Sequence, residues 1–471
     1  MSKNKPKHIM IQEYIKNKIK NGEWPAGSKL PTQRELASNF GVNRSTIIAA
    51  LDELKAQGLI QGKMGSSVKV VQNIWNDLSV TTPNWNEFVK WSVYPENDPI
   101  VQKINIAETD PSFLHLSKGE IGIELHPKKE LSKAFSKAGN NVQYYGYGDG
   151  QGSLSLRKAL SNYLAARGVL VSPDSILIVS GSLQALQLIS LGLLQPGSTV
   201  YLEEPSYLYT TNVFRSVGMK LKGIPIDKNG YDINRLHKEF FQSSKSVIYT
   251  NPTFHNPTGT VMTLDQRKEV LHICQENNLP LIEDDIYYDL WFEEAPPSPI
   301  KKLDKQGHVL YIGSFSKTID PGLRIGWLVG PQEVVQRLAD IRLQFDYGTS
   351  LVSQTIVENL LTSGLYDNHL KRIRIELKNK RDFLIDLLTE YLNDEVYWDV
   401  PKGGFFIWIH FKKPINSKEL FMEAFKRKVL INPISIYQGG FSGDTIRLSF
   451  SYPTYKQMKQ GIKILKDIIN S

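Results

Sequence analysis

Four short segments carry residue types that can do chemistry, and each sits at the end of a short apolar run. The first, SGSLQALQLI at 180–189, is a glycine turn opening a helix. Free N–H groups and the helix dipole make such an N-terminus attractive to phosphate, although a plain helix start has the same appearance. The second, NPTFHNPTG at 251–259, places Asn256 in a proline-bounded loop, a rigid mount for a polar group. The third, IEDDIYYD at 282–289, ends in two carboxylates followed by tyrosines; an acidic strand end can be solvated or face a metal. The fourth, SFSKTIDPGLRIGW at 314–327, flanks Lys317 with hydroxyls and sets Arg324 seven residues on. A lone lysine of this kind is most often a surface charge.

The elements that position these segments are legible from the pattern around them. The apolar runs ILIVS, TVYLEEP, SVIYTNP, LPLIEDD, HVLYIGSFS and IGWLVG alternate with amphipathic helical stretches. That alternation predicts an α/β body with a mostly parallel sheet, and such sheets build their sites at strand ends.

The chain has 471 residues, 41% hydrophobic and 22% charged, which is enough apolar material for two domains and excludes disorder over most of its length. A single cysteine, Cys274, excludes an intramolecular disulfide framework and a paired-cysteine zinc site. No metal ligand set is expected. The N-terminus has no apolar core of a secretory signal, and no apolar stretch approaches the roughly 20 residues of a membrane span. The expectation is a soluble, cytoplasmic protein with no membrane partner. Of the net charge of +8, residues 1–72 carry +7. A basic module on a neutral body suggests a polyanion-binding head, with a solvated lysine-rich end as the plainer alternative.

The pattern inside the module favours the head. Ile11, Tyr14, Ile15 and Ile19 predict a helix from about 9 to 20. Thr32 and Glu35 read as a capping box, with Leu36, Ala37 and Phe40 on the buried face behind it. Asn43 is expected to cap a second helix running to about Gln57, with Gly58 ending it. LIQGKMGSSVKVV then alternates as a small hairpin. The run GSKLPTQRELASNFGVNRSTIIAALDELKAQGLIQGKMGSSVKV resembles the winged helix-turn-helix DNA-binding domain of the GntR superfamily of bacterial regulators. The resemblance implies that Thr32, Arg34, Arg44, Ser45 and Thr46 face DNA, with Gly65 at the wing tip. Met64 stands beside that glycine where the family often carries an arginine. Residues 73–112 are expected to form a linker, 73–84, and an arm in which Trp85, Phe88, Val89, Ile100, Val101 and Ile104 pack on the next domain.

From residue 113 to 471 the order and spacing of the four segments resemble the aspartate-aminotransferase family, fold-type-I enzymes that use pyridoxal 5′-phosphate (PLP). The resemblance implies a large domain of about 140–350 and a small C-terminal α+β domain of about 351–471. It implies that Lys317 forms a Schiff base with PLP and that Asp284 faces the pyridine nitrogen. Asn256 and Tyr287 would bond the ring's phenolic oxygen. Ser182, Leu183 through its N–H, Ser314 and Arg324 would hold the phosphate, with Gln184 a further candidate. Tyr207 stands where the family stacks an aromatic ring. Arg447, in DTIRLSF, matches the arginine that grips an α-carboxylate. Tyr147 matches a tyrosine that reaches the neighbouring subunit's phosphate, which implies a homodimer with the site at its interface.

Head and body together resemble the MocR/GabR family of bacterial transcription regulators. The leading expectation is a PLP-dependent regulator that binds double-stranded operator DNA and senses an amino acid or amine as an external aldimine. The alternative is a working aminotransferase with a DNA-binding head. A third reading is a plain repressor with a structural cofactor.

Overall fold

The computed structural model describes residues 6–62, 67–71, 85–92, 94–140, 146–227, 230–240, 245–438 and 443–471. By contact these form two compact units, Met1–Ser92 and Val93–Ser471. The expected wing tip, Gly65 with Lys63 and Met64, and the expected linker 73–84 lie outside the described residues.

In the first unit, α1 (Lys7–Lys20), α2 (Gln33–Phe40) and α3 (Arg44–Ala56) precede a two-stranded antiparallel sheet, β1 (Ile60–Gln61) and β2 (Lys69–Val70). Ile11, Ile15 and Ile19 of α1 pack with Leu36 of α2 and Ile47, Leu51 and Leu54 of α3. Helical spacing puts these residues on one stripe of each helix, so burying them fixes the three-helix arrangement. The Thr32 hydroxyl accepts from Glu35 N at 3.3 Å, and Glu35 Oε2 accepts from Thr32 N at 2.6 Å. Asn43 occupies the N-cap of α3 in extended backbone but makes no side-chain cap bond, which corrects the expectation for that residue. Gly58, just past α3, has φ +70°, the left-handed conformation glycine adopts without strain. Thr32→Ala is expected to cost about 1 kcal/mol locally. Hydrogen exchange of the α2 amides in the full chain should then quicken by roughly fivefold, with exchange in the body unchanged.

Helix α4 (Trp85–Lys90) ends the first unit, and α5 (Pro99–Ala107) opens the second. The expected arm therefore divides. Val101 and Ile104 are buried in the body's core, whereas Trp85, Phe88 and Val89 belong to the first unit and are exposed. The rings of Trp85, Phe88 and Trp91 line up along α4 at 5.6 and 5.4 Å instead of entering a core.

The body's sheet contains β3 (Ile176–Val179), β4 (Thr199–Glu204), β5 (Lys220–Asp227), β6 (Ser246–Thr250), β7 (Leu281–Asp284), β8 (Val309–Ser314) and β9 (Gly326–Val329). Their spatial order is β3-β9-β8-β7-β6-β4-β5, extended by an edge pair at Gly230–Tyr231. Strands β8, β7, β6, β4 and β5 are parallel, and β9 runs antiparallel to both its neighbours. Alternate residues serve opposite faces, as the pleat requires. Ile176, Ile178, Tyr311 and Trp327 enter one core cluster, while Leu177, Val179, Leu310, Ile312 and Leu328 enter another. Both faces are covered, so the strands read as continuous apolar runs.

Between β3 and β4 lies α6 (Ser182–Gly192). After β9 a long helix, α7 (Leu365–Leu392), leads into an antiparallel sheet of β10 (Val396–Trp398), β11 (Phe406–Phe411), β12 (Asn432–Pro433) and β13 (Thr445–Ser449). Cys274 is fully buried on the helix Leu264–Glu276. Among the described residues, no helix is long and apolar enough to cross a membrane.

Candidate functional site

Strands β4, β6, β7 and β8 end beside one cavity of about 310 Å³. Tyr207, Asn256, Tyr287 and Lys317 line it from the segments that follow those strands. Phe406 of β11 and Arg447 of β13 line it from the small sheet, and Val101, Ile104 and Glu108 line it from α5 and its C-cap. Residues separated by hundreds of positions thus share one space.

Lys317 follows β8 and is half-buried, its ammonium donating to Gly119 O at 2.7 Å. Burial lowers its pKa; Glu120 and Glu108 oppose the shift, and Arg447 and Arg324 add to it. A lysine held this way reaches its unprotonated, nucleophilic form more easily than one in water.

Asp284 ends β7 with its carboxylate buried. Oδ2 accepts from the Tyr249 hydroxyl at 2.9 Å, and Oδ1 has no partner among the described residues. Burial pushes its pKa up to about 7, against the Tyr249 hydrogen bond and with Asp285 adding repulsion. Such a carboxylate is poised for a cationic or N–H partner.

The phosphate-type motif is built from two loops. Helix α6 starts at Ser182 with Gly181 at its N-cap and no capping side chain. Arg324, at φ +53°, sends Nη2 to Ser180 O at 2.6 Å. A Cβ on Gly181 would come within 2.7 Å of that Nη2, so glycine is needed for the approach as well as for its φ of +89°. Leu183 is exposed on the same turn. The hydroxyl of Ser314 is engaged locally, with Ser316 Oγ at 3.0 Å and Ile325 O at 3.2 Å. Gln184 is held at both ends of its amide: its Oε1 accepts from Ser180 N at 2.7 Å and its Nε2 donates to Asp346 at 2.6 Å.

Arg447 is buried and donates through Nη1 to Asn256 Oδ1 at 2.7 Å and through Nη2 to Ser117 O at 2.5 Å. Its guanidinium lies 3.8 Å from the Phe406 ring centroid, and its Nε has no partner among the described residues. With its amide oxygen turned inward, Asn432 accepts from the Tyr437 hydroxyl at 2.8 Å and Arg447 Nη2 at 2.7 Å. Tyr287 is buried with its ring edge-on to Phe405 and Phe406 at 5.7 and 6.0 Å. Burial raises the Tyr207 hydroxyl to about 12, with Asp284 adding to the shift, so it stays a neutral donor. Tyr147 lies apart: it is 86% exposed and its ring is 5.0 Å from that of Tyr347, itself exposed.

Sequence reading missed Tyr249, Ser117, Gly119, Tyr437 and Asn432. Only Tyr249 left a signal, since it alternates with strand residues two positions before the Asn251 loop. The other four act through backbone carbonyls or through contacts set by the small sheet.

On the head, Arg34, Arg44 and Ser45 are exposed and Thr46 half-buried, around the start of α3. Arg44 Nε donates to Gln33 Oε1 at 3.0 Å, which joins the first turns of α2 and α3. Thr32 is committed to its cap.

Residues 112–465 match the family described as aminotransferase class I and II, and residues 9–70 match the gntR family of bacterial regulatory proteins. The HTH-type transcriptional regulator YdfD of Bacillus subtilis is 48% identical over 98% of this chain and 95% of its own. The HTH-type transcriptional regulator NorG of Staphylococcus aureus is 39% identical over 92% of this chain and 98% of its own. The kynurenine aminotransferase of Pyrococcus horikoshii, solved in complex with PMP, superposes with a TM-score of 0.76 and 30% identity, over 84% of this chain and 99% of that one.

Proposed function

The chain belongs to the MocR type of bacterial HTH transcription regulators, a gntR-family head joined to an aminotransferase class I and II body, and from that premise we propose that the body holds PLP and reports an amino ligand to the DNA-binding head. The residues present suit the cofactor. The unpartnered Asp284 Oδ1, the lysine with a lowered pKa, and the glycine turn pressed against Arg324 form a matched set. Bound there, PLP would supply a carbonyl that condenses with amines and a ring that withdraws electrons.

The protein's residues have separate tasks in this reading. Asp284 keeps the ring nitrogen protonated, and Asn256 and Tyr287 donate to the phenolic oxygen. Ser182, the Leu183 N–H, Ser314 and Arg324 hold the phosphate, with the start of α6 adding its dipole. Tyr207 covers the ring. Lys317 would hold the cofactor covalently, its lowered pKa making its amine available for that bond. Arg447 takes the ligand's α-carboxylate through its fork. Exposed Tyr147 serves the phosphate of a second copy, so the working unit is a homodimer. Arg34, Arg44, Ser45 and Thr46 meet operator DNA, α3 entering the major groove, and the protein works in the cytoplasm where that DNA lies.

One observation carries the sensing role. Lys317 and Arg447 donate to the carbonyls of Gly119 and Ser117, two residues apart on one segment. A ligand bearing both an amine and a carboxylate would take Arg447's fork with its carboxylate and free Lys317 with its amine, and so change the bonding of that segment at both carbonyls. It can shift the DNA-binding state only by its differential affinity for the two arrangements. A second reading, a working aminotransferase, is favoured by the likeness to the kynurenine enzyme; there Lys317, once freed, would also move a proton as a general base.

The visible spectrum of the PLP-loaded protein, followed during titration with amino acids and amines, separates the two. A new band that persists and changes operator affinity supports the sensor. A band that decays and is restored by a keto acid supports turnover. A protein that takes up no PLP at all refutes both.

A further inference from the structure

One wall of the cavity is left unused by these assignments. Val101, Ile104 and Glu108 fall at i, i+3 and i+7 on α5 and its C-cap, and all three line the cavity. The wall therefore offers an aliphatic track leading to a carboxylate. Glu108 is half-buried and makes no side-chain hydrogen bond or ion pair among the described residues. Of the other charges on the cavity, Lys317 donates to the carbonyl of Gly119. Lys118 and Glu120 pair with each other at 3.2 Å, and Arg447, the group assigned to the ligand's α-carboxylate, donates to Asn256 and Ser117. Burial raises the Glu108 pKa, with Glu120 adding to the shift and Arg447, Lys118 and Lys317 opposing it; none of those cations is in ion-pair contact with it among the described residues, so its ionised form is short of a close counter-charge. A desolvated carboxylate facing a ligand cavity rewards a cation and repels an anion.

We infer that Glu108 selects the ligand by its side chain: the cavity takes an amino acid whose aliphatic chain ends in a cation, with Val101 and Ile104 along the chain and Glu108 at its end. This rests on the reading that an amino ligand enters at Lys317 and Arg447.

L-ornithine and L-norvaline share a backbone and chain length and differ by the terminal ammonium, which makes them a clean pair; L-glutamate supplies the opposite charge. Each is titrated into the full-length PLP-loaded protein while the visible spectrum is recorded. The apparent Kd for L-ornithine should be lower than for L-norvaline by about tenfold or more, the scale of one charge-assisted hydrogen bond. In Glu108→Gln the ratio should fall to about one. In Glu108→Lys the preference should move to L-glutamate, a gain that mere misfolding cannot produce. Equal binding of L-ornithine and L-norvaline by the wild type, a wild-type preference for L-glutamate, or an unchanged ratio in Glu108→Gln overturns the inference. Absence of a cofactor band in the wild type is a different result: it overturns the reading beneath it.

Discussion

Lys317→Ala is expected to abolish the response of operator affinity to any amino ligand and to weaken cofactor retention about a hundredfold, or ~3 kcal/mol. The lysine is the amine beside the cavity whose pKa burial lowers, and it is anchored on Gly119. Alanine removes the group that an incoming amine must replace, so ligand arrival no longer changes what Gly119 is bonded to. The phosphate cradle at Gly181 and Arg324 is untouched, so some cofactor should still bind, without the attached form's visible band. Spectra and operator titrations with and without ligand on the same preparation check both parts. A ligand response in the variant equal to the wild type's would sink the sensing proposal.

Arg447→Lys is expected to raise the apparent Kd for amino acids by about ten- to a hundredfold, the loss of one charged hydrogen bond of ~1.5–3 kcal/mol. Lysine keeps the charge but cannot bond Asn256, Ser117 and a carboxylate through one planar fork. The useful control is a simple alkylamine, which has no carboxylate to lose. Its Kd should barely change in the variant. Equal weakening of amine and amino acid would mean that Arg447 supports the cavity wall and does not read the carboxylate.

Much of the fold is legible in the order of residues alone. The six apolar runs form six strands of the body's sheet, because a doubly covered sheet demands unbroken apolar sequence. The capping box at Thr32 and the glycine stop at Gly58 are equally readable, since both depend on residues a few positions apart. Asn43 fails as a side-chain cap although its type and place are right; residue preference gives the position, while the side chain's rotamer is decided by its surroundings. The arm divides for a related reason. Trp85 and Val101 are both apolar, and only packing tells which of them reaches a core.

The order of residues sets out the chemistry available: a lysine, two carboxylates, an asparagine and a glycine turn at strand ends, two arginines, and a basic helix-turn-helix ahead of them. These are local properties, set by residue type and short-range backbone preference. Which of them meet is set by long-range packing. Lys317 reaches Gly119 across 198 residues, Arg447 reaches Asn256 across 191 and Ser117 across 330, and no short-range preference encodes such contacts. Packing also gives the Gln184 amide its partners, Ser180 and Asp346. Glu108 is the clearest case. In the sequence it is one of 48 acidic residues; only when α5 folds against the cavity does it become a desolvated charge beside a ligand site, because burial removes the water that would otherwise have satisfied it.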